Sequence, residues 1–161
     1  MKTIPLTQGK DTIVDDDDFE YFNQWKWRAE KKKGRIENWY AVRHVGRKQI
    51  YLHRILLKVP NKMVTDHING NGLDNRKINL RICTQQQNIM NRRKTIGVSK
   101  FKGVSLSHNK WQAGIKKNKR FFYLGLFIDE KDAAMAYDNK ARELFGEFAN
   151  LNFPSKIYAL S

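Results

Sequence analysis

The stretch Met63-Val64-Thr65-Asp66-His67-Ile68-Asn69-Gly70-Asn71-Gly72, resumed at Asn79-Leu80-Arg81-Ile82 and Thr84-Gln85-Gln86-Gln87-Asn88, decides how this chain is read. Asn69-Gly70-Asn71-Gly72 is a strong turn signal, because Asn-Gly pairs accept positive φ at little cost. Met63–Thr65 before it and Asn79–Ile82 after it have the composition of short strands. Thr84 and Gln87 stand at capping-box spacing: the hydroxyl can accept the Gln87 amide while the Gln87 side chain reaches back. A short helix from about Gln85 to about Arg93 should follow, so the predicted order is strand, long turn, strand, helix.

Asp66, His67, Asn79 and Asn88 are the chemically informative residues on that layout. A helix packed across a two-stranded hairpin would bring them to one place. The group offers a carboxylate, an imidazole and two amide oxygens, which suits a Mg²⁺-type ion beside a base. Adjacent strand residues point to opposite faces, so Asp66 and His67 can share a site only if the strand breaks or bulges there. His53, flanked by Leu52, Ile55, Leu56 and Leu57, reads as a core histidine with its ring nitrogens satisfied. His44 and His108 receive no assignment.

Outward from this centre, composition sets limits. The chain has 161 residues, a formal net charge of +15 and 40% hydrophobic residues, enough for a packed core and against full disorder. A lone cysteine, Cys83, excludes an intrachain disulfide and a multi-cysteine zinc cluster, so no structural zinc is expected. No apolar run is long enough to span a membrane, and the Asp15–Asp18 run is unlike a signal peptide. These features predict a soluble intracellular protein with a polyanionic partner, nucleic acid foremost. The acidic run should face away from a bound duplex.

Residues 1–58 read as short strands with polar connections. Trp39–Val42 and Gln49–Leu52 flank Gly46, and Lys31–Arg35 reads as a solvated hairpin tip. Residues 98–154 change pattern. Phe101–Ser105, Lys110–Lys116 and Arg120–Phe127 read as three strands. Asp129 then caps a helix whose apolar positions Ala133, Ala134, Tyr137, Ala141 and Leu144 recur at helical spacing, and Gly146 ends it.

Leu52-His53-Arg54, Asp66 to Asn71, Asp74-Asn75-Arg76, Asn79-Leu80-Arg81, Thr84 and Gln87-Asn88 together resemble the HNH nuclease family, particularly the version in phage and intron-encoded homing endonucleases. The resemblance covers roughly residues 50–93. It implies a ββα-metal fold with one divalent ion, Mg²⁺ foremost, with Mn²⁺ able to substitute. By that resemblance Asp66 and Asn88 would ligate the ion, His67 would be the general base, and Asn79 would orient His67. The family's third consensus position is often His and is Asn88 here.

Phe101-Lys102-Gly103-Val104, Lys110 to Ile115, Tyr123 to Phe127, Ala133 to Asp138 and Ala149 to Pro154 resemble the plant ethylene-response-factor (Apetala-two) DNA-binding domain. That family lays the outer face of a three-stranded sheet in the major groove. The resemblance implies that Trp111, Ala113 and Ile115 face the helix, while Gln112, Gly114 and Lys116 face DNA with Ser105, Ser107, Phe121 and Tyr123. The plant first-strand arginines fall on Ser105 and Ser107, and the third-strand arginine on Phe121, so base choice should differ. Gln112 could read adenine, and Lys102, Lys110, Lys116, Lys119 and Arg120 should grip phosphates. Arg92, Arg93 and Lys94 in the basic linker should also meet DNA.

The expectation is therefore an α+β chain: a β-rich segment (1–58), an HNH core and linker (59–97), an ethylene-response-factor-like domain (98–154) and a tail (155–161). It should act as a metal-dependent endonuclease on double-stranded DNA at preferred sites, with no membrane or small-molecule partner. A monomer is expected, in the cytoplasm of a bacterial or phage-infected cell and associated with the nucleoid. The alternative is a catalytically silent, sequence-specific DNA-binding regulator.

Overall fold

The computed structural model describes residues 1–32, 37–91 and 97–154. Arg92, Arg93 and Lys94, most of the basic run Lys31–Arg35 and the tail 155–161 lie outside the described residues. Strands and helices mix throughout, as expected of an α+β chain, and the strands form small antiparallel sheets. The chain separates into two compact units, Met1–Ile89 and Met90–Ser161. Among the described residues, no helix is long and apolar enough to cross a membrane.

Unit 1 begins with a hairpin, β1 (Lys2–Pro5) and β2 (Asp11–Val14). Helix α1 follows at Asp16–Asn23, where the composition predicts only strands and connections. Its cause is legible afterwards. Asp15 occupies the N-cap, and Asp16, Asp17 and Asp18 fill the first turn, where negative charge meets the positive end of the helix dipole. Asp15 Oδ2 accepts the Lys77 amide at 2.8 Å and Asp18 Oδ2 pairs with Lys77 Nζ at 2.7 Å. Part of the acidic run is thus tied to the segment that leads into the second strand of the central hairpin.

A meander of β3 (Arg28–Lys31), β4 (Trp39–Val45) and β5 (Lys48–Tyr51) comes next. The predicted strand through Leu52 stops at Tyr51, and helix α2 (Leu52–Leu56) starts there. Leu52 faces inward and completes a core with Ile4, Val14, Phe22, Trp27 and Ala41. Each large apolar side chain so buried contributes about 1.5–3 kcal/mol. Then β6 (Val64–His67) pairs antiparallel with β7 (Leu80–Cys83), and helix α3 (Gln85–Met90) follows. The reciprocal cap is present: the Gln87 amide donates to Thr84 Oγ1 at 3.2 Å, and the Thr84 amide donates to Gln87 Oε1 at 2.8 Å.

Unit 2 is a sheet of β8 (Val104–Ser107), β9 (Lys110–Lys117) and β10 (Arg120–Phe127), with helix α4 (Glu130–Phe145) packed on it. The first strand starts three residues later than its composition predicts. At Gly103 φ is +75° and the Tyr137 ring lies where a Cβ would stand, so the chain turns there before the strand begins. Ala113 and Ile115 are buried toward α4, and Trp111 packs against the same core, as the alternation predicts. Asp129 caps α4 by accepting the Lys131 amide at 2.6 Å, and Gly146 stands at the C-cap with positive φ. The buried Asp138 carboxylate accepts the backbone amides of Asn152 and Phe153, each at 2.8 Å, which fastens the chain after the helix.

Candidate active site

The site is built at the end of β6, which stays in regular register with Asp66 opposite Arg81 and His67 opposite Leu80. The break or bulge expected at these two residues is not found, and the strand gives way to a turn only after His67. Ile68 N donates to Asn79 O at 2.9 Å and Gly70 N to His67 O at 2.8 Å. The turn is pinned by side-chain amides. Asn38 Oδ1 accepts the Gly72 amide and Asn38 Nδ2 donates to Gly70 O. Asn69 Nδ2 donates to Asp74 Oδ2 at 2.9 Å, and the Arg76 guanidinium clasps the same carboxylate at 2.6–2.7 Å. That guanidinium holds the Asp74 carboxyl below its ordinary range.

His67 is buried, and its Nε2 lies 3.1 Å from Asn75 Oδ1. Burial lowers its pKa, against the upward pull of the Asn75 bond and the charges of Asp66 and Asp74. The ring is therefore biased toward the neutral form, the form that can take a proton. His53, from α2, stands edge-on to it with ring centroids 5.1 Å apart, and Tyr40 packs on both rings. His53 is buried as expected of a core histidine, but the expected satisfaction of its ring fails: Nδ1 is buried with no hydrogen-bond partner. Burial, then the neighbouring His67 and nearby cations, push its pKa down to about 3.

Asp66 is buried one residue earlier, opposite Arg81 in the ladder. Arg81 donates to Asp66 Oδ2 from Nε at 2.9 Å and from Nη2 at 2.7 Å. A buried carboxylate needs such compensation. Asn79 is fixed by the turn: Oδ1 accepts the Asn69 amide at 3.0 Å and Nδ2 donates to Asp74 O at 2.8 Å. The resemblance gave Asn79 the task of orienting His67. The amide seen on the ring nitrogen Nε2 belongs to Asn75, and Asn79 shapes the loop that carries Asn75. Asn88, on α3, is half-buried, and its backbone N–H donates to Thr84 O at 3.0 Å.

The donor set suits a hard divalent cation. A carboxylate such as that of Asp66 and an amide oxygen such as that of Asn88 are donors of the kind such an ion takes, with water and phosphate oxygens at its remaining positions. The Cys83 thiol, pushed up to about 11 by burial, is no competing thiolate. Among the described residues no group of three or more His, Cys, Asp or Glu side chains converges as a metal cluster.

On unit 2, Ser105, Lys110, Lys116, Lys119, Arg120 and Tyr123 are exposed and Gln112 is half-buried on the same sheet. Phe121 is also exposed, its ring over Gly114, where a Cβ would collide with it. Lys102 departs from its expected phosphate grip. Its Nζ donates to Met90 O at 2.8 Å, and burial lowers its pKa to about 8, so it serves the packing of its own unit.

Residues 58–90, the segment from the end of α2 through α3, match the HNH endonuclease family. The chain is also 33% identical over 160 residues, 94% of its length, to an uncharacterised HNH endonuclease of Acanthamoeba polyphaga mimivirus, 79% of which is covered. Shorter similarities exist to plant proteins: 43% identity over 65 residues to APETALA2-like protein 2 of Oryza sativa, and 40% over 60 residues to a dehydration-responsive element-binding protein of Arabidopsis thaliana. These cover 38% and 35% of this chain and only 15% and 29% of the plant proteins. The buried histidine on a strand–turn–strand–helix frame belongs to a nuclease. The chain is a member of the HNH endonuclease family.

Asn75 and Thr12 are the residues that motif reasoning left without a role. Asn75 stood in the quoted Asp74-Asn75-Arg76 and could have been weighed as an amide partner for the histidine. Thr12 lies 63 positions before Asn75 in the chain, and no short-range pattern signals it.

Proposed function

We propose that the chain hydrolyses phosphodiester bonds of double-stranded DNA at preferred sites, with His67 as general base. The observation that carries this reading is the His67 ring: buried, biased neutral, and held at Nε2 by Asn75, one residue from a buried carboxylate. In the reaction the His67 imidazole takes a proton from water, and the oxygen attacks phosphorus in line with the leaving 3′ oxygen. Asp66 and Asn88 would hold one divalent cation, Mg²⁺ foremost. When bound, that ion supplies charge neutralisation at the leaving oxygen. Arg81 pairs with the Asp66 carboxylate at 2.7 Å and fixes its position, and His53 and Tyr40 pack the base against movement. The exposed cations of unit 2 and its sheet face position the duplex, in the manner of the plant domain it resembles.

The test is incubation of supercoiled plasmid with the full chain in Mg²⁺ or in EDTA. Nicked or linear product is expected with Mg²⁺ alone, and intact DNA under every divalent metal would favour the silent regulator. His67→Ala is expected to lose about 10²–10⁴-fold in rate while duplex affinity stays within a few-fold. Unimpaired cutting by that variant refutes His67 as base.

A further inference from the structure

We infer that Thr12, in the N-terminal hairpin, acts through the Asn75 amide to set which nitrogen of the His67 ring carries the proton, making Nδ1 the nitrogen without a hydrogen. The inference deepens the reading of His67 as base and rests on it for its consequence, though not for its geometry.

Hydrogen-bond direction fixes the tautomer. The Leu73 carbonyl can only accept, and Thr12 Oγ1 lies 2.8 Å from it, so the one hydroxyl proton of Thr12 points there. Ile13 N donates to the same oxygen at 2.9 Å, and Asn75 N donates to Ile13 O at 2.8 Å, so β2 runs bonded along residues 73–75 and holds the threonine in place. With its proton committed, Thr12 Oγ1 presents a lone pair to Asn75 Nδ2 at 2.7 Å. The nitrogen end of the amide therefore faces Thr12 and the oxygen end faces His67 Nε2, 3.1 Å away. An amide oxygen only accepts, so Nε2 must bear the hydrogen. In a neutral ring that leaves Nδ1 bare.

Thr12 and Asn75 are both fully buried, so no water competes for these bonds. The reversed arrangement would turn the Asn75 amide over and take the Thr12 proton from Leu73, at the loss of one buried hydrogen bond. Such a bond is worth about 0.5–1.5 kcal/mol net, so the Nε2–H form should dominate by up to about tenfold. Thr12 lies far outside residues 58–90. The hairpin of residues 2–14 would thus be a working part of the nuclease site.

Nitrogen-15 NMR of the metal-free full chain, at a pH where the ring is neutral, reads the tautomer directly. The expected result is a protonated Nε2 and a bare Nδ1 on His67. Thr12→Val, which keeps the shape and removes the acceptor, should bring up the Nδ1–H form, and Thr12→Ser should restore the original pattern. Thr12→Ala serves if the valine variant does not fold. In cleavage assays Thr12→Val should slow turnover about twofold, as the Nε2–H share falls from about nine-tenths to about half, with serine recovering most of it. A wild-type ring protonated on Nδ1, or a Thr12→Val ring indistinguishable from wild type, overturns the inference whatever the cleavage rate. Normal cutting by His67→Ala sinks the base assignment instead and leaves the tautomer measurement to decide the role of Thr12.

Discussion

The β6–β7–α3 hairpin and the β8–β10 sheet are both small antiparallel ladders followed by a helix, yet opposite means hold them. The sheet of unit 2 is closed by α4 over Val104, Ala113, Ile115, Ala133, Ala134, Tyr137 and Ala141, a core made by alternation on the strands and helical spacing on the helix. The hairpin of unit 1 buries Asp66, His67, Asp74, Asn75 and Asn79, and each is held by another polar group. Apolar burial tolerates exchange of similar shapes. A buried polar network does not, because every member removed leaves a partner uncompensated. Stability in the two regions should therefore fail differently, and three experiments press on that contrast.

The largest effect is expected at Arg81. Its guanidinium compensates a carboxylate that is almost wholly out of water, and breaking a buried pair from one side costs about 3–5 kcal/mol. Arg81→Ala should lower the unfolding free energy of unit 1 by that order in urea titrations. Hydrogen exchange at Ala113 and Ile115 of unit 2 should not change. Added Mg²⁺ should recover part of the loss if Asp66 is a ligand. A loss below about 1 kcal/mol would mean that the Asp66 charge finds other compensation, and the contrast between the regions would weaken.

Acid is the next lever. His53 has a folded pKa near 3 against an ordinary value of 6.5, and burial lowers that of His67 as well. Both states are neutral above the unfolded value, so the full stability is present there. As pH falls from 6.5 toward 3 the unfolded chain binds a proton that the folded chain refuses, and stability drops by about 1.4 kcal/mol per pH unit for His53 alone. Unit 2 contains one histidine, His108, which is exposed, so its helix and sheet should outlast unit 1 on acidification. His53→Gln should flatten the acid limb of unit 1. Coincident acid transitions in the two units would break the comparison.

The same contrast explains what could be read in the sequence. In unit 2, alternation at Trp111, Ala113 and Ile115 and the spacing of Ala133, Ala134, Tyr137 and Ala141 state which faces meet, because apolar burial leaves a periodic trace. Lys102 escaped that logic: a lysine reads as a surface cation, and only the fold reveals the Met90 carbonyl that takes it in. In unit 1 the turn, both strands and the capped helix were legible because turn and capping chemistry is local. Helix α1 was hidden because its acids read as a charge run, although charge placed at a helix start is itself a signal. The partner of His67 was not legible at all. Its amide comes from within the turn and is aligned by a threonine on another hairpin, and directional bonds between distant residues leave no period.

The smallest effect probes the most local feature and so marks where the contrast ends. Thr84 and Gln87 exchange bonds across the first turn of α3, on the exposed side of the hairpin. Losing a cap of this kind costs about 1 kcal/mol, and solvent can take over the freed amides, unlike those around Asp66. Thr84→Ala should therefore lower unit 1 stability by about that amount in urea, with Thr84→Ser close to the parent. Its effect on cleavage should exceed its effect on stability only if Asn88, one turn into the same helix, must be held still to serve the cation. Equal small losses in both would leave α3 as scaffold, whereas a rate loss above about tenfold beside a 1 kcal/mol stability loss would put the helix start within the working site.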